Sequence, residues 1–275
     1  DRGHPTPVIT LASDFGSPYP AAMRGVLARR TDARVVDVTH DLPRQDVRGA
    51  AFWLRFVLPE FPPAVHCAVV DPGVGTDRDA VVVRAGDHLL VGPDNGSLLP
   101  PARALAGDDD PEVFEWRVED PASSTFHGRD VFAPAAAAVH EGAPPGTAES
   151  AENLLALDQV ARTDEFVDLT LPEPTVRESG ADGEVLVVDD FGNAITNVPG
   201  TTLPAPPDEG GPGSITVDGE RVPLVSTFAG VDPGERLVTV GSHGYLECDV
   251  NRGRGDEAFD LEPGASVTFR WGTSG

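Results

Sequence analysis

Three short apolar runs, Val8–Ala12, Val35–Val38 and Val65–Val70, are rich in β-branched residues, and each is closed by a polar or glycine-bearing stretch. That pattern predicts buried strands that end in loops. Between them the apolar positions change to helical spacing. Tyr19–Arg30 carries Ala22 and Val26 one turn apart, followed by Arg29 and Arg30. Asp46 stands as an N-cap before a helix reaching Leu58, whose Val47, Ala50, Leu54, Val57 and Leu58 form one apolar stripe. Further on, Ala80–Arg84 and His88–Val91 read as a strand pair about Ala85-Gly86-Asp87, and an alanine-rich helix runs from about Val131 to His140. Strands alternating with helices predict a layered α/β domain over residues 1–165.

The pattern then fades. Gly142–Gly183 reads as a connector with one amphipathic piece near Leu154–Val160, and residues 166–183 as the linker proper. From Glu184 the texture is different. Val185–Val188, Ser214–Val217, Arg221–Val225, Leu237–Val240, Tyr245–Cys248 and Ser266–Phe269 are short strands separated by turns such as Asp218-Gly219. The expectation for residues 184–275 is a small all-β domain, a barrel or sandwich.

Charge changes the picture. Asp and Glu total 45 against 20 basic residues, a net charge of −25, and every basic residue is arginine. Such an excess repels itself in dilute buffer and is screened at molar salt. With lysine absent altogether, the composition predicts a protein adapted to a salt-rich cytoplasm. No basic patch is visible, which argues against a nucleic-acid partner. Asp1–Pro7 is polar and unlike a signal peptide, and no apolar run approaches the roughly 20 residues needed to span a bilayer. Cys67 and Cys248 each lie within an apparent strand and are expected to be buried free thiols.

The candidate chemistry lies at His66–Arg78. Asp71 stands where the third strand should stop; Pro72, Gly73 and Gly75 force a turn of little bulk; Arg78 follows within reach of Asp71. An acid and an arginine about a glycine loop, at the carboxyl end of a buried strand, sit where open α/β sheets bind small molecules. A second polar cluster, Ser123–Asp130, puts His127 near a helix amino end. His40, His66 and His243 are read as structural, and no metal-ligand spacing is visible.

In order, the polar clusters are Ser-Asp-Phe-Gly (13–16), Asp-Val-Thr-His (37–40), Val-Val-Asp-Pro-Gly-Val-Gly-Thr-Asp-Arg (69–78), Gly-Pro-Asp-Asn-Gly (92–96), Thr-Phe-His-Gly-Arg-Asp (125–130), Asp-Asp-Phe-Gly-Asn-Ala-Ile-Thr-Asn (189–197) and Gly-Ser-His-Gly-Tyr-Leu-Glu (241–247). Together they resemble the S-adenosylmethionine hydroxide adenosyltransferases, relatives of the fluorinating and chlorinating enzymes that use the same substrate. The resemblance implies hydrolysis of S-adenosylmethionine to adenosine and methionine by water or hydroxide attacking the ribose 5′ carbon, with no cofactor. It implies a catalytic set Asp71, Arg78 and His127. It further implies that Asp14 holds the ribose hydroxyls, Asp189 or its neighbour Asp190 and Ser242 the methionine end, and Phe191 and Asn193 the adenine. A homotrimer with active sites between subunits is also implied. The halogenating relatives place a tyrosine at Asp71, a tyrosine at His127 and a serine at Gly128, so the hydrolytic pattern stands here at all three. The competing readings are a halogenase and a non-catalytic S-adenosylmethionine or adenosine-binding protein.

Overall fold

The computed structural model describes residues 8–76, 78–118, 123–147 and 149–272; the Asp1–Pro7 segment read above for a targeting signal lies outside them. The chain divides into two compact units, Asp1–Leu171 and Pro172–Gly275.

The first unit is built on strands β1 (Val8–Ser13), β2 (Arg34–Thr39), β3 (Ala64–Val69), β4 (Ala80–Ala85), β5 (His88–Pro93), β6 (Glu112–Trp116) and β7 (Val160–Arg162). They form one sheet in the order β2-β1-β3-β5-β4-β6-β7. The first half is parallel and the far half antiparallel, beginning with the β4–β5 hairpin. The helices are α1 (Tyr19–Leu27), α2 (Val47–Val57), α3 (Leu99–Ala106), α4 (Ala133–Gly142) and α5 (Ser150–Leu155). Met23 and Leu27 of α1 and the alanine face of α4 pack on one side of the sheet with Ile9, Leu11 and Val65. Ala50 and Leu54 of α2 and Ala102 of α3 pack on the other with Ala12, Ala68 and Leu90. Because side chains alternate across a strand, β1 and β3 feed both cores and are mostly apolar, with Thr10, Ser13 and His66 the polar exceptions. Asp46 accepts a hydrogen bond from the Gly49 N–H at 2.9 Å, the cap expected at the start of α2.

Some elements escaped the pattern. α3 opens on Pro100-Pro101, which are tolerated only in a first helical turn where the missing N–H groups have no partner to lose. β6 and β7 extend the sheet as short outer strands, and the stretch read as a connector carries α5 and β7. The first helix stops at Leu27, a turn before the predicted Arg30.

The second unit holds β8 (Thr175–Arg177), β9 (Gly180–Val188), β10 (Ala194–Pro199), β11 (Ser214–Val217), β12 (Glu220–Pro223), β13 (Arg236–Val240), β14 (Tyr245–Val250), β15 (Ser266–Arg270) and a one-turn helix α6 (Gly255–Phe259). Its sheet runs β12-β11-β15-β9-β10-β14-β13, with β8 also on β9. A bridge between Leu224, just past β12, and Val238 of β13 brings the two ends together, so the sheet is a nearly closed barrel. Val185, Val198, Val238, Leu246, Phe269 and Trp271 fill its interior. This is the small β domain expected. Cys67 and Cys248 are buried and free, one in each unit, and burial alone pushes the Cys67 thiol up to about 12.

Candidate active site

β1 lies between β2 and β3, so the chain leaves it to one side and returns on the other. In a parallel sheet the loops at the carboxyl ends part at such a point and leave a crevice. Here the crevice is a cleft of about 520 Å³ lined by Asp14 and Phe15 after β1, Arg44 and Gln45 after β2, Asp71 after β3, and Ser123 with the Thr125–Arg129 segment.

Asp71 and Arg78 are brought together. The loop between them folds through backbone hydrogen bonds from Val74 to Asp71 and from Thr76 to Gly73. Arg78 Nη2 donates to Asp71 Oδ2 at 2.5 Å, with side-chain exposures of 11% and 4%. Its Nη1 donates to the Asp79 carbonyl, and its guanidinium lies 5.3 Å from the Phe132 ring centre. Such a charge-assisted pair, mostly out of water, fixes the carboxylate as a rigid anion. Asp71 Oδ1 is buried with no hydrogen-bond partner among the described residues, an acceptor left for something else. The Gly-Pro-Asp-Asn-Gly motif acts from behind this loop. Asn95 Nδ2 donates to the Val70 carbonyl at 2.8 Å, and a Cβ at Gly92 would meet the Ala68 carbonyl oxygen at 2.3 Å.

His127 arrives from the other side. It precedes a π turn, Gly128–Phe132, that leads into α4. Pro134 follows in the first turn of α4 and has no N–H to give the preceding carbonyls, and the wider turn occurs just before it. Gly128 faces the Phe15 ring, where a Cβ would come within 2.7 Å. Phe126 stands edge-on to Phe15 and Tyr19, with centroids at 5.9 and 5.3 Å. His127 therefore lines the same cleft as Asp71.

Asp14 is buried in that cleft and accepts a hydrogen bond from the Gln45 N–H at 2.7 Å. Gln45 adopts φ 57°, a left-handed conformation unusual for a residue with a side chain. Nothing in the sequence pointed to Arg44, Gln45 or Tyr19; left-handed backbone leaves no mark on a hydrophobic pattern. Phe15 and Phe126 lay inside the motifs quoted above without an assigned role.

The remaining predicted residues belong to the second unit. Asp189 organises the turn before β10: its Oδ1 accepts from the N–H groups of Phe191 and Asn193, both at 2.9 Å, and its Oδ2 from Asn193 Nδ2 at 3.0 Å. Phe191 stands out from this turn at 79% exposure, and Asp190 is exposed beside it. Ser242 lies in the β13–β14 hairpin, next to the other end of β14. A polar chain runs between these turns. The Tyr245 N–H donates to His243 Nδ1 at 3.2 Å, which leaves His243 Nε2 to donate to Glu247 Oε1 at 2.6 Å. Asp249 follows on the same strand face, fully buried, and burial together with the Glu247 and Asp189 carboxylates holds its acid well above the usual range. Among the described residues no group of three or more His, Cys, Asp or Glu side chains is arranged to hold a metal ion, and no helix is long and apolar enough to cross a membrane.

Known proteins share this architecture. A crystal structure of an uncharacterized conserved protein from Thermotoga maritima matches 96% of this chain and all of its own, with a TM-score of 0.79 and 30% identity. One of a conserved hypothetical protein from Thermus thermophilus matches with a TM-score of 0.72 and 40% identity, over 96% of this chain and 99% of the other. Two curated proteins named (R)-S-adenosyl-L-methionine hydrolase are similar throughout. That of Salinispora tropica is 44% identical over 94% of this chain and 96% of its own. That of Thermus thermophilus is 43% identical over 94% and 98%. Residues 9–149 match the SAM hydroxide adenosyltransferase N-terminal domain and residues 183–268 the C-terminal domain of the same family. With both halves matched, and full-length relatives well above 30% identity, the chain belongs to the SAM hydroxide adenosyltransferase family.

Proposed function

We propose that this protein hydrolyses (R)-S-adenosyl-L-methionine to adenosine and L-methionine by attack of water at the ribose 5′ carbon. The observation that carries the reading is the Asp71 carboxylate, clamped by Arg78 at 2.5 Å on the wall of a cleft that His127 also lines. A sulfonium departs as a neutral thioether and needs no general acid. The difficulty lies in the nucleophile, which must be held in line with the breaking bond and must lose a proton. Asp71 and His127 hold the water and take the proton between them, while Arg78 holds Asp71. Asp14 meets the ribose hydroxyls, a role needing an acceptor that its buried carboxylate provides. Phe191 and Asn193 meet the adenine, and Asp189 or the exposed Asp190, with Ser242, the methionine end.

The relatives' name gives the sulfonium configuration, and the same epimer is assigned to this chain. A halogenase fits the site less well. A serine side chain at Gly128 would have to enter the space of the Phe15 ring, and Asp71 would repel a halide. A binding module without turnover needs no buried acid–arginine pair facing a histidine. The reading includes a cytoplasmic homotrimer with sites shared between subunits and no cofactor. Incubation at high salt with each epimer separately, with products identified by mass, tests it. Adenosine plus methionine from the (R) epimer is the expected outcome; a halogenated adenosine, or untouched substrate, overturns the proposal.

A further inference from the structure

His127 has a face on each of two clefts. Beyond the one shared with Asp14 and Asp71 lies a second, of about 580 Å³, bordered by Arg78, Asp79, Glu115, Trp116, Ser124 and Phe132. Asp71 borders the first and Arg78 the second, so their ion pair and the His127 imidazole form the partition between them. Each partner of the pair also keeps a buried polar atom without a hydrogen-bond partner among the described residues, Oδ1 on Asp71 and Nε on Arg78.

The balance of the reaction gives such a partition a use. The water oxygen bonds to the ribose 5′ carbon, the carbon–sulfur bond breaks, and its electron pair stays on sulfur. The sulfonium's positive charge thereby leaves the substrate, and one proton must leave the site. Every turnover consumes a water and yields a proton while the organic molecule fills the first cleft. In-line attack also requires the water on the side of the carbon facing away from sulfur.

We propose that the second cleft is the solvent port of the active site, admitting the nucleophilic water and discharging the proton across the Arg78–His127 wall. Its lining suits water: Arg78, Asp79, Glu115 and Ser124 are polar, while Trp116, Val131 and Phe132 close its inner side. The proposal rests on the hydrolase reading above. Wild-type turnover tests that reading, and a plugging series tests the port.

Ser124 and Val118 are exposed and border only the second of these two clefts. The series Ser124→Ala, Ser124→Val, Ser124→Phe and Ser124→Trp, with Val118→Trp as an independent plug, is assayed under single-turnover conditions with enzyme in excess. The expected result is a rate constant that falls with side-chain volume, by about 10-fold or more at Trp, while the substrate dissociation constant stays within about twofold. Where Ser124→Trp does not fold, as read by circular dichroism, Val118→Trp and Ser124→Phe carry the test. A rate unchanged by the folded plugs overturns the port. So does a parallel loss of rate and affinity, which makes the second cleft part of the substrate site.

Discussion

Asp71→Asn keeps the shape of the side chain and removes the charge that Arg78 clamps at 2.5 Å. With water activation as the difficult step, kcat is expected to fall by about 10²-fold or more with substrate affinity largely kept. Near-normal kcat in this variant ends the role given to Asp71. Two other buried groups set opposite pH slopes. His66 is buried against Thr10 at 2.7 Å and His88 at 2.9 Å, and burial, with the His88 charge second, lowers its pKa from 6.5 to about 3. The folded state then binds fewer protons than the unfolded one between those values. The contribution of His66 is present above pH 6.5 and is lost as pH falls toward 3. Asp249 is raised above 3.8, so the folded state binds more protons there and stability declines as pH rises from that value. Asp249→Asn is expected to flatten the neutral-to-alkaline decline, and urea melts across pH check it. An unchanged slope removes Asp249 as its source.

At the scale of elements, the Asp71–Arg78 loop and the segment before α4 hold each other. Gly75 has φ 82°, and a Cβ there would stand 2.7 Å from the Ser124 carbonyl oxygen. Gly75→Ala meets both a backbone penalty and a clash with rigid main chain, so it is expected to lower stability by about 1–3 kcal/mol. Because Asp71 and His127 flank this contact, kcat should drop more than affinity; thermal melts with steady-state kinetics decide. A variant with wild-type melting and turnover shows that the two loops are not coupled through Gly75.

For the whole molecule, charge dominates. A net −25 with no lysine leaves many carboxylates repelling one another, and at molar salt the screening length is only ~3 Å. The thermal midpoint is expected to rise from dilute to molar potassium chloride, and a flat response counts against salt adaptation. The proposed trimer is tested by mixing Asp71→Ala with Asn193→Ala chains. Subunit exchange should restore part of the activity if sites are shared. Mixed trimers seen by native mass spectrometry but without activity exclude sharing.

The sequence alone determined the layered α/β unit and the β unit after it, because strand and helix periods are local properties written into the order of apolar residues. The turn that carries Asp71 and Arg78 was legible for a similar reason, marked by Pro72, Gly73 and Gly75, whereas the role given to His127 came from the family resemblance. The tertiary structure decided the rest. α3 hides behind Pro100-Pro101, and β6 is held by β4 and β7 on either side. The Gln45 N–H that holds Asp14 depends on two loops 31 residues apart meeting at the end of the sheet. The turn around Asp189 satisfies that carboxylate internally, whereas Asp249, one residue past the strand read as Tyr245–Cys248, proves to be the buried acid beside it. Periodicity reports which face of an element is apolar. Which polar groups face one another, and which are shut away from water, depends on distances that exist only once the chain has folded.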